Sequence, residues 1–537
     1  MITRRRFVSA VSIAAASSAA GCAGNSSTGA AAASAAASAG NVFAHGVASG
    51  DPLSDRVILW SRVSAPDGRP VPVRWQIAAD PGMRRVVNEG VAMALPVRDH
   101  TVKIDALGLE PGRTYYYRFS AAGEESPIGR TRTLPERTVS RLRLAVASCS
   151  NLPFGYFSAY RHIAARHDLD LVLHLGDYLY EYAPDTYGDG DALQRVHEPA
   201  HEIVSLADYR IRHAQYKSDP DLQEAHRQHP WICVWDDHES ANNSWRDGAE
   251  NHNPDQGEGD WVDRRTAALH AYHEWLPIRE QLGAGGHHIY RSFRLGDLAY
   301  LIMLDTRLHG RTRQVADRQD RAALAAPGRT ILGTDQQAWL AEQLRASMRQ
   351  QSAWRLIGQQ LMFGQLIADD GLLLNTDQWD GYPASRKAVL DQLEGERIDD
   401  TVVLTGDIHT AWGIDIAHDP TRGYDPATGR GSRAVELVST SVTSPGPDGT
   451  GEALREREAQ VLRDRPHIHY VNLREHGYLL LDVDARRAQG EWWYVDSLDH
   501  REAGERFGAA LATARGSNHL VAVDAPSRVN GERPDAV

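Results

Sequence analysis

The chain has 537 residues, of which 42% are hydrophobic and 24% are charged, a composition that is typical of globular proteins. This length exceeds one average domain, so we expect two domains, or one large domain with an appended segment. The formal net charge of −13 and the absence of a basic stripe from the sequence argue against a nucleic-acid partner.

The N-terminus has the pattern of an export signal. Three arginines at positions 4 to 6 precede a mildly apolar stretch that ends at Gly21, as in twin-arginine signals, so the twin-arginine export machinery is an expected partner. Cys22 is a candidate lipid-anchor residue, and the Ala/Ser/Gly-rich stretch up to Gly40 is typical of a flexible tether. We therefore expect residues 1–40 to be signal and tether. The mature protein would be periplasmic, extracellular or a cell-surface lipoprotein that contacts the membrane only through Cys22.

Residues 41–135 carry the pattern of a β-sandwich. Short alternating segments, such as Arg56 to Val63, Val71 to Ile77 and Thr101 to Ile104, are separated by turn residues. The pattern Leu-x-Pro-Gly-x-x-Tyr-x-Tyr, which begins at Leu109, resembles that of fibronectin type III-like domains. We therefore predict an N-terminal β-sandwich over residues 41–135.

From residue 140 to residue 515 apolar runs alternate with helical stretches, which is the signature of an α/β domain. The predicted strands include Leu142 to Ala147, Leu169 to Leu175, Trp231 to Trp235 and Thr401 to Thr405. Residues 516–537 are expected to form a C-terminal tail.

Four of these predicted strands end in residues that can bind a metal. In open α/β sheets ligands bind beyond the carboxyl ends of the strands. The groups that follow the four strand ends are a thiol, a phenol, carboxylates and imidazoles, which together are the donors of a metal centre. They are Cys149; Asp177 and Tyr180; Asp236, Asp237 and His238; and Asp407 and His409.

Three of these strand ends resemble the metallophosphatase signature. They are Gly176-Asp177-x-x-Tyr180, Asp236-Asp237-His238-Glu239 and Gly406-Asp407-Ile408-His409, in the variant of the alkaline phosphatase D family. That family has a Ser-Cys segment, here Ser148-Cys149-Ser150, where most metallophosphatases have Asp-x-His. The resemblance covers nearly all of residues 41–500. It implies a four-layer α/β/β/α metallophosphatase sandwich behind the fibronectin type III-like domain.

The resemblance also implies the metals. Cys149, Asp177, Tyr180 and His409 would hold one Fe³⁺, with Asp177 as a bridge to a second site. The two further ligands, Asp237 and Asp407, are oxygen anions where most metallophosphatases have Asn and His. Oxygen anions favour harder ions, so one or two Ca²⁺ are expected at the second site.

The implied function is hydrolysis of phosphoric monoesters, as in alkaline phosphatase, with diesters as possible further substrates. A hydroxide held between the metals would attack phosphorus. His238 would stabilise the phosphoryl group, protonate the leaving oxygen or orient Asp237. Possible further contacts to metal or substrate are Asp236, Asn151, Asn243 and Arg307, although Arg307 could equally form a structural ion pair.

Two other functions remain open from the sequence. The same fold could act as a phosphodiesterase on lipid or teichoic-acid diesters, including phospholipase D-like cleavage. A more remote alternative is a non-catalytic binding protein of the cell surface. Among the cysteines beyond residue 40, Cys149 is expected to be a thiolate ligand. Cys233 is expected to be an inert core residue and not its disulfide partner, because it lies about 13 Å back along its strand from Asp237.

Overall fold

The structure, a computed structural model, describes residues 41–529 apart from residues 66, 189, 284–285 and 369. The expected export signal and Cys22 lie outside these described residues. Within them, no helix is long and apolar enough to cross a membrane.

The described residues form twenty-four strands and eight α-helices, numbered here in chain order. The strands are β1 (Val47–Gly50), β2 (Arg56–Arg62), β3 (Val71–Ala78), β4 (Val86–Ala94), β5 (Thr101–Leu107), β6 (Thr114–Ala121), β7 (Glu124–Glu125), β8 (Gly129–Arg132), β9 (Arg141–Ala147), β10 (Leu171–His174), β11 (Pro230–Cys233), β12 (Gln281–Gly283), β13 (Gly286–His288), β14 (Arg291–Leu295), β15 (Ala299–Met303), β16 (Trp354–Gln359), β17 (Thr401–Thr405), β18 (Ala411–Ala417), β19 (Ser432–Val438), β20 (Ile468–Asn472), β21 (Gly477–Asp484), β22 (Arg487–Val495), β23 (Glu505–Ala514) and β24 (Leu520–Val523). The helices are α1 (Ser158–Ala165), α2 (Leu206–Lys217), α3 (Pro220–Gln228), α4 (Trp261–Trp275), α5 (Arg321–Leu324), α6 (Gly333–Arg349), α7 (Pro383–Gly395) and α8 (Gly451–Asp464).

Two large sheets carry the α/β domain. The first has the strand order β24-β23-β22-β21-β9-β10-β11-β1-β2-β5, and the second has the order β14-β15-β16-β17-β19-β18-β20. In the first sheet β9, β10 and β11 are parallel neighbours. In the second, β15, β16, β17 and β19 are parallel neighbours. Each sheet therefore presents a row of strand carboxyl ends.

The two sheets face each other and bury a common core. Leu144 of β9 belongs to the same hydrophobic cluster as Leu301 and Leu404 of the second sheet. Side chains alternate along a strand, so Ile302, which follows Leu301 on β15, points to the other face of the second sheet. There it packs with residues of α6 and α7. The helices α1, α3 and α4 contribute to the core of the first sheet. The structure thus confirms the predicted α/β/β/α arrangement.

The N-terminal region is a β-sandwich, as predicted, but one of its sheets is not separate from the α/β domain. Its core is shared by β1, β2 and β5 on one side and β3 and β6 on the other. Strand β1 also pairs in parallel with β11, with Ser49 opposite Pro230. The domain boundary near residue 135 therefore divides the chain but not the ten-stranded sheet.

The end of the described chain is also part of this sheet. Strand β24 pairs with β23, with Ala510 opposite Val523. The expectation of a tail over residues 516–537 is thus wrong as far as residue 523. The strand has four residues and two of them are exposed, so its pattern in the sequence is too short to identify it.

A buried ion pair fastens the N-terminal sandwich to the α/β domain. Asp51 Oδ1 and Oδ2 accept hydrogen bonds from Arg291 Nη2 and Nε at 2.6 and 2.9 Å. Arg291 Nη2 also donates to the Cys233 carbonyl at the end of β11 at 2.9 Å. Both side chains are at most 5% exposed, so each buried charge is compensated by the other.

We expect Asp51→Ala to lower the free energy of unfolding by about 3–5 kcal/mol, because it leaves the Arg291 guanidinium buried and uncompensated. Chemical denaturation of the purified protein measures this change. Glu89→Ala breaks an exposed pair with Arg74 and should cost about 1 kcal/mol or less. Equal effects of the two substitutions would contradict a fastening role for Asp51.

Candidate metal centre

The predicted ligand residues come together where the strand ends of the two sheets meet. Cys149 follows β9, Asp177 follows β10 and Asp237 follows β11 in the first sheet, whereas Asp407 and His409 follow β17 in the second. All five side chains are buried, none of them more than 5% exposed. Three mutually close groups of donors result, namely Cys149, Asp177 and His409; Asp177, Asp237 and His238; and Asp236, Asp237 and Asp407, each with its ligand atoms within 4.8 Å of one another.

The backbone at these positions is strained. Cys149, Asp177, Asp407 and His409 have φ angles of 61°, 54°, 65° and 60°, a region that residues other than glycine rarely adopt. Each such residue costs on the order of 1–3 kcal/mol and persists only where its surroundings hold it. Here the Cys149 amide donates to the Gly176 carbonyl at 3.1 Å, which ties the ends of β9 and β10 together. Four residues that carry donor atoms therefore share this strained conformation.

Gly176 allows two of the strand ends to approach each other. Its φ is 108°, and a Cβ at this position would lie 2.3 Å from Asp236 Cβ and 2.5 Å from the Asp236 nitrogen. Only glycine fits both the angle and this contact. Gly176 thus sets the spacing between Asp177 and the pair Asp236–Asp237.

The first group of donors surrounds one point between the sheets. The Tyr180 hydroxyl lies 2.9 Å from Asp177 Oδ2 and 3.1 Å from His409 Nε2. His409 Nδ1 donates to the Pro445 carbonyl at 2.8 Å, so the lone pair of Nε2 faces Asp177 and Tyr180. A phenol, a carboxylate, an imidazole lone pair and the Cys149 thiol are therefore positioned around one site.

The chemistry of this donor set fits a bound cation. Burial and then the charge of Asp177 raise the pKa of the Cys149 thiol well above its usual range. Without a cation the sulfur would be protonated and a poor ligand, whereas a bound metal deprotonates a coordinating thiol. The predicted role of Cys149 as a ligand thus requires a metal ion next to it. Cys149 and Cys233 form no disulfide, and Cys233 is a fully buried core residue, as predicted.

The third group of donors, Asp236, Asp237 and Asp407, surrounds the guanidinium of Arg307, which is fully buried. Arg307 Nε donates to Asp236 Oδ1 at 2.5 Å and Nη2 to Asp407 Oδ1 at 2.7 Å, with Asp237 Oδ1 at 3.5 Å from Nη2. Nη1 donates to Asp377 at 2.9 Å. The ion-pair role of Arg307 is therefore seen in the structure, and its role in binding phosphate stays a prediction.

Two buried groups at the predicted contact positions have no hydrogen-bond partner among the described residues. One is Asp236 Oδ2 and the other is the whole side-chain amide of Asn151. A buried polar group without a partner is costly, so these two groups are suited to an ion or a substrate oxygen. Asn243 differs, because its amide donates to Glu250 at 2.5 Å and its backbone nitrogen to Asp237 Oδ2 at 2.6 Å.

His238 is held by a carboxylate that the sequence did not reveal. Its Nδ1 lies 2.7 Å from Glu181 Oε2, and its ring stacks on Tyr180 with centroids 4.2 Å apart. Burial alone would lower the pKa of His238, but the charges of Asp237, Glu181 and Asp177 outweigh burial and raise it to about 9. The sequence does place this carboxylate beside a predicted metal ligand, since Glu181 directly follows Tyr180 in Gly-Asp-Tyr-Leu-Tyr-Glu.

Helix α2 holds the segment that carries Glu181. Arg212 on this helix donates to the carbonyls of Tyr180 and Tyr182. The helix begins with a capping box in which Ser205 and Asp208 satisfy each other's backbone nitrogens. Glu181 is consequently fixed at both of its neighbours, and His238 takes its orientation from a rigid partner.

Two facing sheets with a buried donor cluster at their strand ends place the protein in the class of four-layer metallophosphatases. Comparison with known proteins is more specific. The family model for PhoD-like phosphatases matches residues 144–492, and the model for the N-terminal domain of PhoD-like phosphatases matches residues 29–135. The chain therefore belongs to the PhoD-like phosphatase family, a family of phosphatase enzymes.

Individual relatives agree with this assignment. The chain is 40% identical over 448 residues to alkaline phosphatase D of Bacillus subtilis (strain 168), which covers 80% of this chain and 74% of the relative. It also matches the solved structure of PhoD with a TM-score of 0.81 and 35% identity, over 91% of this chain and 93% of that one. Fold, family and the buried cluster thus point to the same class of enzyme.

We expect Gly176→Ala to lower the free energy of unfolding by at least about 1–3 kcal/mol, because the new methyl group overlaps Asp236 and the backbone angle disfavours alanine. Chemical denaturation and the metal content of the purified protein measure the effect. Gly395→Ala, at the end of α7 with open space around it, is the matched control and should keep both values. A Gly176→Ala protein with unchanged stability would refute the close contact.

We expect Glu181→Gln to retain the bound metals but to reduce kcat by about 10–100-fold, since the carboxylate acts through His238. Steady-state kinetics with metal analysis tests this, and KM should change much less than kcat. Glu224→Gln, which removes a carboxylate paired with Arg227 on α3, should leave kcat unaltered. Loss of metal in Glu181→Gln would instead indicate a structural role.

Proposed function

We propose that the protein is an exported, metal-dependent alkaline phosphatase that hydrolyses phosphoric monoesters. The observation that carries this proposal is the buried convergence of Cys149, Asp177 and His409, with ligand atoms within 4.8 Å, beside the carboxylates of Asp237 and Asp407. Membership of the PhoD-like phosphatase family supports the reaction class. Export rests on the twin-arginine pattern of the N-terminus, and anchoring at Cys22 rests on the sequence alone.

The donor atoms divide into two proposed metal sites. Cys149, Asp177, Tyr180 and His409 would hold Fe³⁺, because thiolate and phenolate are strongly donating anions. The carboxylates of Asp237 and Asp407 would hold Ca²⁺, which prefers oxygen ligands. When bound, the two ions supply Lewis acidity for the phosphoryl oxygens and lower the pKa of a bound water.

His238 is suited to protonate the leaving oxygen. Glu181 occupies its Nδ1, so the second proton of the ring is carried by Nε2, which lies 3.9 Å from Asp237 Oδ2. The proton is thus held next to the carboxylate of the proposed second site, where a substrate oxygen would be bound. Stacking on Tyr180 keeps the imidazole plane in this orientation.

Aromatic side chains line one side of the site. Tyr187 lies with its ring centroid 5.9 Å from that of Tyr180 and 5.3 Å from that of Tyr182, and it contacts Phe154 at 5.0 Å. An apolar wall beside the donor cluster excludes water and strengthens charge interactions within it. These rings would also limit the size of the group attached to the phosphate.

The proposal predicts that the Cys149→Ala protein loses its iron and that its activity falls by more than about 100-fold. A fall of about 100-fold is the upper limit for residues that only support the metal ligands. Elemental analysis and turnover of p-nitrophenyl phosphate measure both effects. Cys233→Ala, the matched substitution of the other buried cysteine, should keep the iron and the activity. Iron at the wild-type level in Cys149→Ala would refute the ligand assignment.

The same assay with bis(p-nitrophenyl) phosphate separates the substrate classes. Monoester hydrolysis as the main activity predicts a higher kcat/KM for p-nitrophenyl phosphate. A higher value for the diester would replace the proposal with a phosphodiesterase. Metal-replete protein that hydrolyses neither ester would favour a non-catalytic binding protein.

A further inference from the structure

A second group of metal-binding side chains lies away from the phosphatase centre. Asp415 on β18, His469 on β20 and His519 just before β24 have ligand atoms within 4.8 Å of one another. Asp415 is the fifth residue of β18, about 13 Å along that strand from Ala411, and it pairs with Val435, which lies opposite Val402 near the start of β17. The group therefore belongs to neither of the two sites proposed for catalysis.

The three side chains converge on a single oxygen atom. Asp415 Oδ2 lies 2.5 Å from His519 Nδ1 and 3.2 Å from His469 Nε2. The hydroxyl of Tyr424 is also close, at 2.9 Å from Asp415 Oδ2 and 3.2 Å from His469 Nε2. One carboxylate oxygen has about two lone-pair positions. Tyr424 and His519 hydrogen-bond to Asp415 Oδ2, and His469 Nε2 is a third close neighbour of the same oxygen. A cation placed among the four atoms would be in reach of all of them.

Asp415 is a buried carboxylate whose neighbours include two imidazoles. Its side chain is fully buried, and the ion pairs seen for it among the described residues are with His469 and His519. A buried carboxylate is costly unless a positive charge and hydrogen bonds compensate it. A divalent ion bound by both imidazoles would balance the charge.

The surroundings hold the cluster in place. The Leu520 nitrogen donates to Asp415 Oδ1 at 2.9 Å, which orients the carboxylate. Gly429 leaves room for the ring of His519, because a Cβ on Gly429 would lie 2.4 Å from His519 Cβ and its φ is 69°. His469 and His519 are 17% and 12% exposed, so an ion can enter from solvent.

We infer that Asp415, His469 and His519 bind one divalent transition-metal ion of the zinc class, with the hydroxyl of Tyr424 in the fourth position. Two imidazoles and a carboxylate are a ligand set that Zn²⁺ favours over Ca²⁺ or Mg²⁺. Ligand atoms about 2.0–2.1 Å from a tetrahedral ion lie about 3.3 Å apart. The distance from Asp415 Oδ2 to His469 Nε2 already matches this value. The distance from Asp415 Oδ2 to His519 Nδ1 needs to increase by less than about 1 Å.

The position of the site indicates what the ion does. His519 precedes β24, the outermost strand of the first sheet, whereas Asp415 and His469 lie on strands of the second sheet. A shared ion would therefore join the edge of one sheet to the other and pin the C-terminal strand. This role is structural and is independent of phosphate-ester hydrolysis.

The test measures zinc that remains bound to the complete protein after incubation with Zn²⁺ and desalting. Wild-type protein is compared with His469→Gln and His519→Gln. The matched control is His418→Gln, a partly buried histidine just past the end of β18 that pairs with Glu394. Any zinc held by the phosphatase centre is common to all four proteins, so the difference between them reports the new site.

We expect wild-type and His418→Gln to retain one more equivalent of zinc than His469→Gln and His519→Gln. We also expect Zn²⁺ to raise the unfolding temperature of wild type and to raise it less in the two variants. Equal zinc content in all four proteins would overturn the inference.

A further measurement does not depend on the folding of the two histidine variants. Co²⁺ bound to the wild-type protein should show the visible absorption of four-coordinate cobalt with imidazole ligands. Its persistence after Cys149 is replaced by Ala would place that ion outside the phosphatase centre. Absence of any such cobalt signal in the wild-type protein would likewise overturn the inference.

Discussion

The negative charge buried between the two sheets is the constraint on which the rest of the structure depends. Asp177, Asp236, Asp237 and Asp407 lie in one water-poor space, and Arg307 contributes one positive charge to them. Burying like charges is costly unless opposite charges and hydrogen bonds compensate. Bound cations would compensate this charge, and their binding would then be coupled to the folding of the cluster.

The fold meets this constraint by placing the charges on rigid strand ends. Four of the residues that carry donors have strained backbone angles, and interstrand hydrogen bonds such as that from Cys149 to Gly176 help to hold them in position. Two glycines, one from each sheet, remove steric obstacles. Gly176 faces Asp236, and a Cβ on Gly406 would lie 2.9 Å from Ser148 Cβ. The sheets fix the positions of the donor atoms, because a strand end moves less than a loop.

Much of the site could be predicted because its residues directly follow strands that are apolar in sequence. Cys149, Asp177, Asp237 and His409 were found in this way, since the carboxyl ends of parallel strands meet at one edge. Glu181 was not found, because its role depends on the ring of His238, which is 57 residues away in the chain. The strand β24 and the cluster at Asp415 were missed for a similar reason, as each depends on contacts between segments that carry no pattern of their own.

The sequence by itself determined the α/β character of residues 140–515, the β-sandwich before it and the identity of the donor groups. Local periodicity and the residues at strand ends encode these features, and both are short-range properties. Only the tertiary structure decided how the parts combine. It joined β1 to β11 across the domain boundary, set Arg307 among its carboxylates and placed Glu181 behind His238. These are contacts between distant segments, and they form only when the two sheets close over a common core.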